Sequence, residues 1–550
     1  MKRFIRSRDS VVTDAIDGFL SSSAGQGATR LDAFPDIKVV LRDDWRKERV
    51  ALVSGGGSGH EPAHAAFVGE GMLTAAVCGE VFASPSVDAV LAAILAVTGE
   101  AGCLLIVKNY TGDRLNFGLA AEMARARGLR VEMVIVGDDI ALPDNPQPRG
   151  VAGTLFVHKV AGACAAEGAT LDEVAQIARQ VAAGTRSIGL SLTSCHLIGV
   201  EAEERIGDDE IELGLGIHGE PGAETRPFAD AASLVDLLAE RLLAGPARAE
   251  ARHALLVNDL GASGPLEMNI LMRCIADSPL AGAIDRIIGP APMMTALDMH
   301  GASLSLLRLD DRLLSLLEAP AAPTAWPHPA PFPPRHRLAA LPEELAPTPP
   351  APSENARARA MLEAILTSLK ANEAEMDRLD ARVGDGDAGS TFALAARAVE
   401  GEMQALPFAD GAALFRALAD RLMRVAGGSS GVLLATLCAA AATEFAASGD
   451  WARAFAAGVS RIGENGGAKP GDRTMLDALV PAADRLIAGG TLAEAAAQAR
   501  RGADGTAGMR RASAGRAAYL SGRDLTGNPD PGAEMVARAF EAVAGLRPDG

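Results

Sequence analysis

The chain has 550 residues, 48% apolar and 22% charged, with a formal net charge of −18. Such a composition describes a globular chain with room for about three or four domains. It offers no basic field for a nucleic-acid backbone or an anionic membrane, although a small anionic nucleotide needs only local N–H groups and a metal. Six cysteines, at 78, 103, 164, 195, 274 and 438, form no CxxC pair and read as reduced thiols. The N-terminus lacks a continuous apolar core and a cleavage site, and no apolar run reaches the ~18 residues of a membrane span. The expectation is a cytoplasmic protein with no membrane or nucleic-acid partner.

Residues 1–45 predict a helix from Val11 to Leu20 and a polar approach. From 50 onward, apolar runs alternate with helical stretches. VALVS at 50–54, LTAAVCG at 73–79, CLLIVKNY at 103–110 and VEMVIVGDD at 131–139 predict buried strands. Helices are predicted between them, as in SVDAVLAAILAVTG at 86–99, so this part reads as a parallel sheet covered on both faces. A second α/β part is expected from about 184 to 318, after a first from 1 to 183. Its strands include RSIGLSL at 186–192, HALLVNDLG at 253–261 and ASLSLLRLD at 302–310.

Three strand ends in this half carry candidate chemistry. GGGSGHEP at 55–62 lies between VALVS and a predicted helix, AHAAFVG. It lacks the GK[ST] of a Walker A loop, and His60 replaces the third glycine of a dinucleotide fingerprint. His60 reads equally well as a functional, capping or packing residue. KNYTGD puts Lys108 and Asp113 at a second strand end, where Asp113 is otherwise a helix N-cap. If the strands are neighbours, an imidazole, a cation and a carboxylate converge as acid–base chemistry requires. GIHGEPG at 216–222 leaves His218 accessible between glycines. A lone loop histidine is commonly inert, but an imidazole can also attack a carbonyl.

Residues 319–352 hold twelve of the 31 prolines and are expected to form a semi-rigid linker. It divides an α/β part over 1–330 from residues 353–550, which read as nearly all helical. There RLDARVGDGDAGST at 378–391 places Asp380, Asp385 and Asp387 within eight residues, among glycines. An EF-hand starting at Asp385 would need Glu at position 396, which is Ala. The remaining readings are an acidic turn or a Mg²⁺ site. GGSSG at 427–431 and GDRTMLD at 471–477 favour the second, because each offers N–H groups and hydroxyls at a helix start. Carboxylates with no Lys/Arg cluster beside them suit a two-metal phosphate clamp.

GGGSGHEP, CGEVFASPSVDAV, KNYTGDRLNF, GTLFVHKVAGA and ELGLGIHGEPG, followed by LDARVGDGDAGST, GGSSGV, GAKPGDRTMLD, GRAAYL and NPDPGA, resemble the dihydroxyacetone kinase family in its single-chain, ATP-dependent bacterial form. The resemblance implies an α/β domain followed by an all-α, antiparallel helical-barrel domain. It implies that Gly57, Ser58, Gly59, His60, Lys108, Asp113 and His218 bind the ketose, His218 as a covalent hemiaminal, Asp113 as base and His60 through a hydrogen bond. Asp380, Asp385 and Asp387 would carry two Mg²⁺ ions that bridge the ATP phosphates. Asp387, Ala388, Gly389, Ser390, Ser429, Ser430, Gly466, Thr474, Met475, Arg516, Asp530, Pro531 and Gly532 would contact the nucleotide. Ala388 stands where some relatives carry His or Cys, and ERIGDDEIELG departs from other members. A homodimer is implied, each nucleotide domain meeting the partner's substrate domain. Glyceraldehyde or erythrulose as substrate, and cyclisation of FAD, are the alternatives within the family. A purely regulatory binding module is disfavoured by the intact carboxylates.

Overall fold

The computed structural model describes residues 3–33, 35–200, 205–244, 251–332, 338–342, 351–425, 428–513 and 525–546. The chain divides into two compact units, Met1–Leu338 and Ala339–Gly550.

The first unit is layered. One sheet contains β1 (Ala28–Arg30), β2 (Val39–Arg42), β3 (Ala51–Ser58), β4 (Ala75–Val81), β5 (Cys103–Lys108) and β6 (Val131–Val136), in the order β1-β2-β4-β3-β5-β6. The four strands from β4 to β6 in that order run parallel, while β1 and β2 add an antiparallel edge. The second sheet contains β7 (Thr185–Ser191), β8 (Glu210–Leu213), β9 (Glu224–Pro227), β10 (His253–Asp259), β11 (Ile284–Pro292), β12 (Gly301–Arg308) and β13 (Ala330–Pro331). Its order is β13-β11-β10-β12-β7-β8-β9, and only β10 and β11 pair in parallel.

Strand period two explains the layers. Ala51, Val53, Cys103, Leu105 and Val107 pack on helices Val87–Val97 and Thr111–Arg125. Their alternates Leu52, Leu104 and Ile106 face helices Thr154–Ala166 and Leu171–Gly184, which Leu256, Ile288 and Leu307 cover from the second sheet. Leu255, Val257, Leu304 and Leu306 turn to the outer helices Ala231–Leu242 and Pro265–Asp277. Helix Thr154–Ala166 is thus enclosed by two sheets and buried nearly all round.

Three expectations change. GGGS is not a turn but the end of β3, and the helix expected at AHAAFVG is one 3₁₀ turn, Ala65–Phe67. A β-carbon at Gly55 would lie 2.2 Å from the Val77 carbonyl oxygen, so glycine permits the close strand approach. The expected linker begins later than residue 319. Ala322 N–H bonds the Glu70 carbonyl at 2.9 Å, Ala330 pairs with Ile287, and Trp326 and Phe332 are buried. Trp326→Ala in the full chain is expected to destabilise the first unit by about 3 kcal/mol. Its unfolding midpoint in denaturant should fall accordingly, and an unchanged midpoint would refute this packing role.

The second unit is helical. Helices Ala356–Ala371, Ala388–Glu400, Gly411–Val425, Gly428–Ser448, Trp451–Gly466, Leu476–Ile487, Leu492–Thr506 and Pro531–Ala544 each pack on the next, and the last returns to the first. Among the described residues this closes a ring around an apolar core. Side-chain caps start several of them: Asn355, Asp450, Asp530, and Thr491 with Glu494 as a capping box. On one flank Ala478, Ala482, Ala495, Ala499, Ala503, Ala533 and Ala537 let the helices approach closely. Helix Gly428–Ser448 has the length and mean hydropathy (1.5) of a membrane span over Gly431–Ser448. It packs between Gly411–Val425 and Trp451–Gly466.

Candidate active sites

In the first unit, β3 ends at Ser58 and Gly59 (φ +98°) turns the chain so that His60 is fully buried. The turn is tied to the second sheet: Leu297 N–H bonds the Gly59 carbonyl at 2.9 Å and Thr295 N–H the His60 carbonyl at 3.1 Å. His60 Nδ1 lies 2.7 Å from the Thr295 carbonyl, which assigns the proton to Nδ1 and leaves Nε2 a lone pair. Among the described residues no group bonds that Nε2. Burial, then the charges of Lys108 and His218, hold the ring well below the usual histidine value, so it stays neutral.

His218 comes from the β8–β9 connection. Leu215 and Ile217 alternate into the core and leave His218 half-buried on the other side. Arg149 secures this loop by bonding the Gly214 carbonyl and the Asp139 carboxylate, each at 2.6 Å. The ring of His218 meets His60 at 4.9 Å, Phe82 at 5.3 Å and Tyr110 at 4.5 Å, edge to face. Glu220 accepts the His218 backbone N–H at 2.7 Å and holds Oε1 3.6 Å from Nδ1. Burial works to raise the Glu220 carboxyl, but the bonds and charge of His218 keep it below the usual value.

Lys108 ends β5 and Asp113 lies in the first turn of the helix Thr111–Arg125; both are buried. A β-carbon at Gly56 would stand 2.7 Å from Lys108 Nζ and 3.6 Å from Asp113 Oδ2, so cation and carboxylate share the floor made by β3. Asp113 Oδ1 is buried and, among the described residues, has no hydrogen-bond partner. His60, Lys108, Asp113 and Gly57–Gly59 therefore gather at adjacent strand ends. His218 joins them from the second sheet.

Sequence reasoning missed Phe82 and Tyr110, which wall His218, and the buried His64 and His158. His64 Nε2 lies 3.0 Å from Lys108 Nζ, and its ring meets that of His158 at 5.1 Å. Nothing local in HEPAH or FVHKV marks this contact. A cavity of about 570 Å³ borders the same turn, lined by Val12, Ile16, Phe19, Gly57, Ser58 and His64. His60, Lys108, Asp113 and His218 do not line it, while Gly57 and Ser58 belong to both.

In the second unit, helix Glu373–Val383 delivers Asp380, and the chain folds back over it. One Asp380 oxygen accepts N–H bonds from Gly386 (2.9 Å), Asp387 (3.1 Å) and Ala388 (3.3 Å). Gly384 passes so close that a β-carbon would sit 2.3 Å from the other oxygen. Asp387 occupies the N-cap of Ala388–Glu400 without bonding its helix. Asp377 takes that role, accepting Ser390 N–H at 2.8 Å and its hydroxyl at 2.6 Å. Asp380, Asp385 and Asp387 can each bring one oxygen within 4.8 Å of the others. Hard carboxylate ligands at that spacing, with Asp387 released from capping, fit Mg²⁺.

Other expected contacts surround a second turn. Gly466 ends Trp451–Gly466, and Thr474 N–H bonds Asp477 at 2.8 Å. A β-carbon on Gly532 would touch Asp530 at 3.1 Å and Met475 at 3.3 Å, so these three meet where Pro531 starts the last helix. Desolvation pushes the Asp530 carboxyl up to about 6, with Arg473 opposing and Asp477 and Asp380 reinforcing. Ala388 and Gly389 begin their helix beside the carboxylates. Ser429 and Ser430 fall in the first turn of Gly428–Ser448, and their side chains lie outside the described residues, as does Arg516. Arg473 is an addition. It is buried at φ +62°, donates Nη2 to the Asn528 carbonyl at 2.8 Å, and among the described residues has no partner for Nε and Nη1. Its charge acts on Asp530 and Asp477 beside it.

A Dak1 domain family model matches residues 23–325 and a DAK2 domain model residues 382–545. The chain is 47% identical to dihydroxyacetone kinase of Citrobacter freundii, over 98% of both chains. It is 40% identical to triokinase/FMN cyclase of Rattus norvegicus, again over 98% of both. It is 36% identical to L-erythrulose 1-kinase of Mycolicibacterium smegmatis, over 99% of both. The crystal structure of the Citrobacter freundii kinase in complex with AMP-PNP and Mg²⁺ matches with a TM-score of 0.73 at 46% identity, covering 99% of each chain. With each half matched by a family model and nearly its whole length aligned to these relatives, the chain belongs to the dihydroxyacetone kinase family.

Proposed function

We propose that this chain uses ATP and Mg²⁺ to phosphorylate a terminal hydroxyl of dihydroxyacetone, which His218 first holds as a covalent hemiaminal. The observation that carries the reading is the meeting of His218 and His60, from different sheets, beside Lys108 and Asp113. Glu220 stands on the Nδ1 side of His218, leaving Nε2 as nucleophile. Its lone pair forms a C–N bond as the C=O π bond opens. The Nδ1 proton leaves towards Glu220, and the former carbonyl oxygen gains a proton. His60 Nε2 accepts a substrate hydroxyl, and Asp113 removes the proton from the hydroxyl that is phosphorylated.

Asp380, Asp385 and Asp387 are the residues that would hold Mg²⁺, with Asp380 preset by its three N–H bonds. Bound Mg²⁺ supplies neutralisation of phosphate charge during transfer. The nucleotide carriers expected around Thr474, Met475, Asp530 and Gly532 stand beside Arg473. Transfer requires the two units to meet, in a cytoplasmic homodimer where the nucleotide unit docks on the partner's ketose unit.

The relatives named for erythrulose and for triokinase/FMN cyclase support neighbouring substrates and a second reaction on FAD. A coupled ADP-release assay should show turnover with dihydroxyacetone and none with glycerol; glyceraldehyde and erythrulose rank the carbonyl substrates. AMP released from FAD without ketose would report the cyclase reaction. Equal turnover of glycerol and dihydroxyacetone would overturn the proposed function.

A further inference from the structure

Behind Lys108, buried polar groups that take no part in the proposed chemistry run away from the ketose pocket. Lys108 Nζ stands 3.0 Å from His64 Nε2. An ammonium can only donate, so this nitrogen accepts and the His64 proton sits on Nδ1. The Ser54 hydroxyl donates to the Ile106 carbonyl at 2.7 Å and lies 3.1 Å from His158 Nε2. Ser54 therefore accepts from His158 Nε2–H, and His158 keeps a lone pair on Nδ1. The two rings meet edge to face, and the nitrogens left over are a donor on His64 and an acceptor on His158. Among the described residues neither His64 Nδ1 nor His158 Nδ1 has a hydrogen-bond partner, so the two rings support each other by packing and not by a bond.

The geometry points to His64, with His158 behind it, as positioning residues that hold the Lys108 ammonium by one proton and leave its other two for Asp113 and the ketose hydroxyls. A fully buried ammonium needs acceptors. A carboxylate in place of His64 would satisfy the proton but also draw off the charge. A neutral imidazole satisfies it and leaves the charge for the substrate.

Lys108 is faced by Asp113 from the helix Thr111–Arg125, Asp138 after β6, His60 and His64 after β3, and His158 from Thr154–Ala166. Burial lowers the lysine, while Asp113 and Asp138 support its charge. Burial first, and the charge of Lys108 second, hold His64 well down and His158 at about 3, so both rings remain neutral. The inference rests on Lys108 holding the ketose, as proposed above.

The test uses the full-length protein with His64→Leu, His64→Gln, His158→Leu and Lys108→Met, each checked for native circular dichroism. His64→Leu should raise KM for dihydroxyacetone roughly 10- to 100-fold, leaving KM for ATP unchanged. It should also move the alkaline limb of kcat/KM to lower pH by about one unit, because the ammonium loses an acceptor. His64→Gln, whose Oε1 takes the same proton, should recover most of the loss. His158→Leu should shift both readouts in the same direction by less. If His64→Leu does not fold, His64→Gln against His64→Asn, with its acceptor one bond short, carries the same comparison. Parental KM and pH limb in His64→Leu, or no advantage of Gln over its comparison variant, would overturn the inference. If Lys108→Met leaves ketose binding intact, the reading of Lys108 falls first. If it weakens binding while His64→Leu does not, only the positioning role falls.

Discussion

Replacing His218 by Ala is expected to erase most of the discrimination between dihydroxyacetone and glycerol. The two molecules have nearly the same size, and both offer a terminal hydroxyl. A pocket working by shape and hydrogen bonds would separate them by about 1–3 kcal/mol, roughly 5- to 150-fold. Glycerol has no electrophilic carbon, so a pocket that works through His218 Nε2 rejects it almost completely. In the Ala variant ketone binding should weaken and the gap should shrink to the modest factor. Intact-mass spectra should lose the ketose adduct, which peptide mapping places within 211–222. His60→Ala should keep the adduct and lower turnover, since in the proposed function His60 meets the substrate through a lone pair and not a bond to carbon. Full activity with full rejection of glycerol in His218→Ala would return His218 to an ordinary loop residue.

The second large effect belongs to the carboxylates. Asp385→Ala and Asp387→Ala should each lower ATP turnover at least about 10³-fold, since phosphoryl transfer depends on charge neutralisation and positioning. Dihydroxyacetone binding, measured by calorimetry without nucleotide, should stay as in the parent, because the residues proposed to hold it lie in the other unit. The structure sharpens this expectation for Asp387. An N-cap aspartate is commonly a stability device, but here Asp377 bonds Ser390 and the Asp387 side chain bonds no helix N–H. Asp387→Ala should therefore cost less stability than the ~1 kcal/mol of a lost cap. ADP release at the parental rate in either variant would remove the carboxylates from the mechanism.

Much of this architecture was legible because burial writes itself into the sequence. The continuous apolar runs of β3, β5 and β10 mark strands covered on both faces, and the regular helical spacing after residue 353 marks a bundle. β2 and β11 were missed. VVLR is too short to show a period, and IDRIIGPAP mixes charges with Gly and Pro. Glycines 55–57 were read as a loop because glycine is the commonest turn residue, whereas here the absence of a side chain lets strands touch. In the proline-rich stretch, Trp326 and Phe332 were the available signal that part of it packs.

The candidate sites divide in the same way. The carboxylates lie within eight residues, so local spacing reveals them. His60, Lys108 and Asp113 come together because parallel strands present their ends side by side, which the strand pattern anticipates. The contacts of Lys108 with His64 and of His158 with Ser54 span 44 and 104 residues. They depend on a helix enclosed between two sheets, and neither histidine carries a local mark. Arg473 was hidden for a different reason, since only its fold shows a guanidinium turned inward rather than into solvent.

The glycine-built end of β3 also bears on how such a pocket can change through mutation. Its floor is peptide backbone, and new side chains there meet other backbone: a β-carbon on Gly55 meets the Val77 oxygen at 2.2 Å, and one on Gly57 meets Phe82 and Ala83 at 2.7 Å. That surface is closed to gradual variation, because the smallest available step is already a collision. Phe82 and Tyr110, by contrast, meet His218 with side chains rather than backbone, at 5.3 and 4.5 Å between ring centres. Divergence towards longer or branched ketoses would accordingly be recorded in the walls, while the floor stays the same glycines from one descendant to the next.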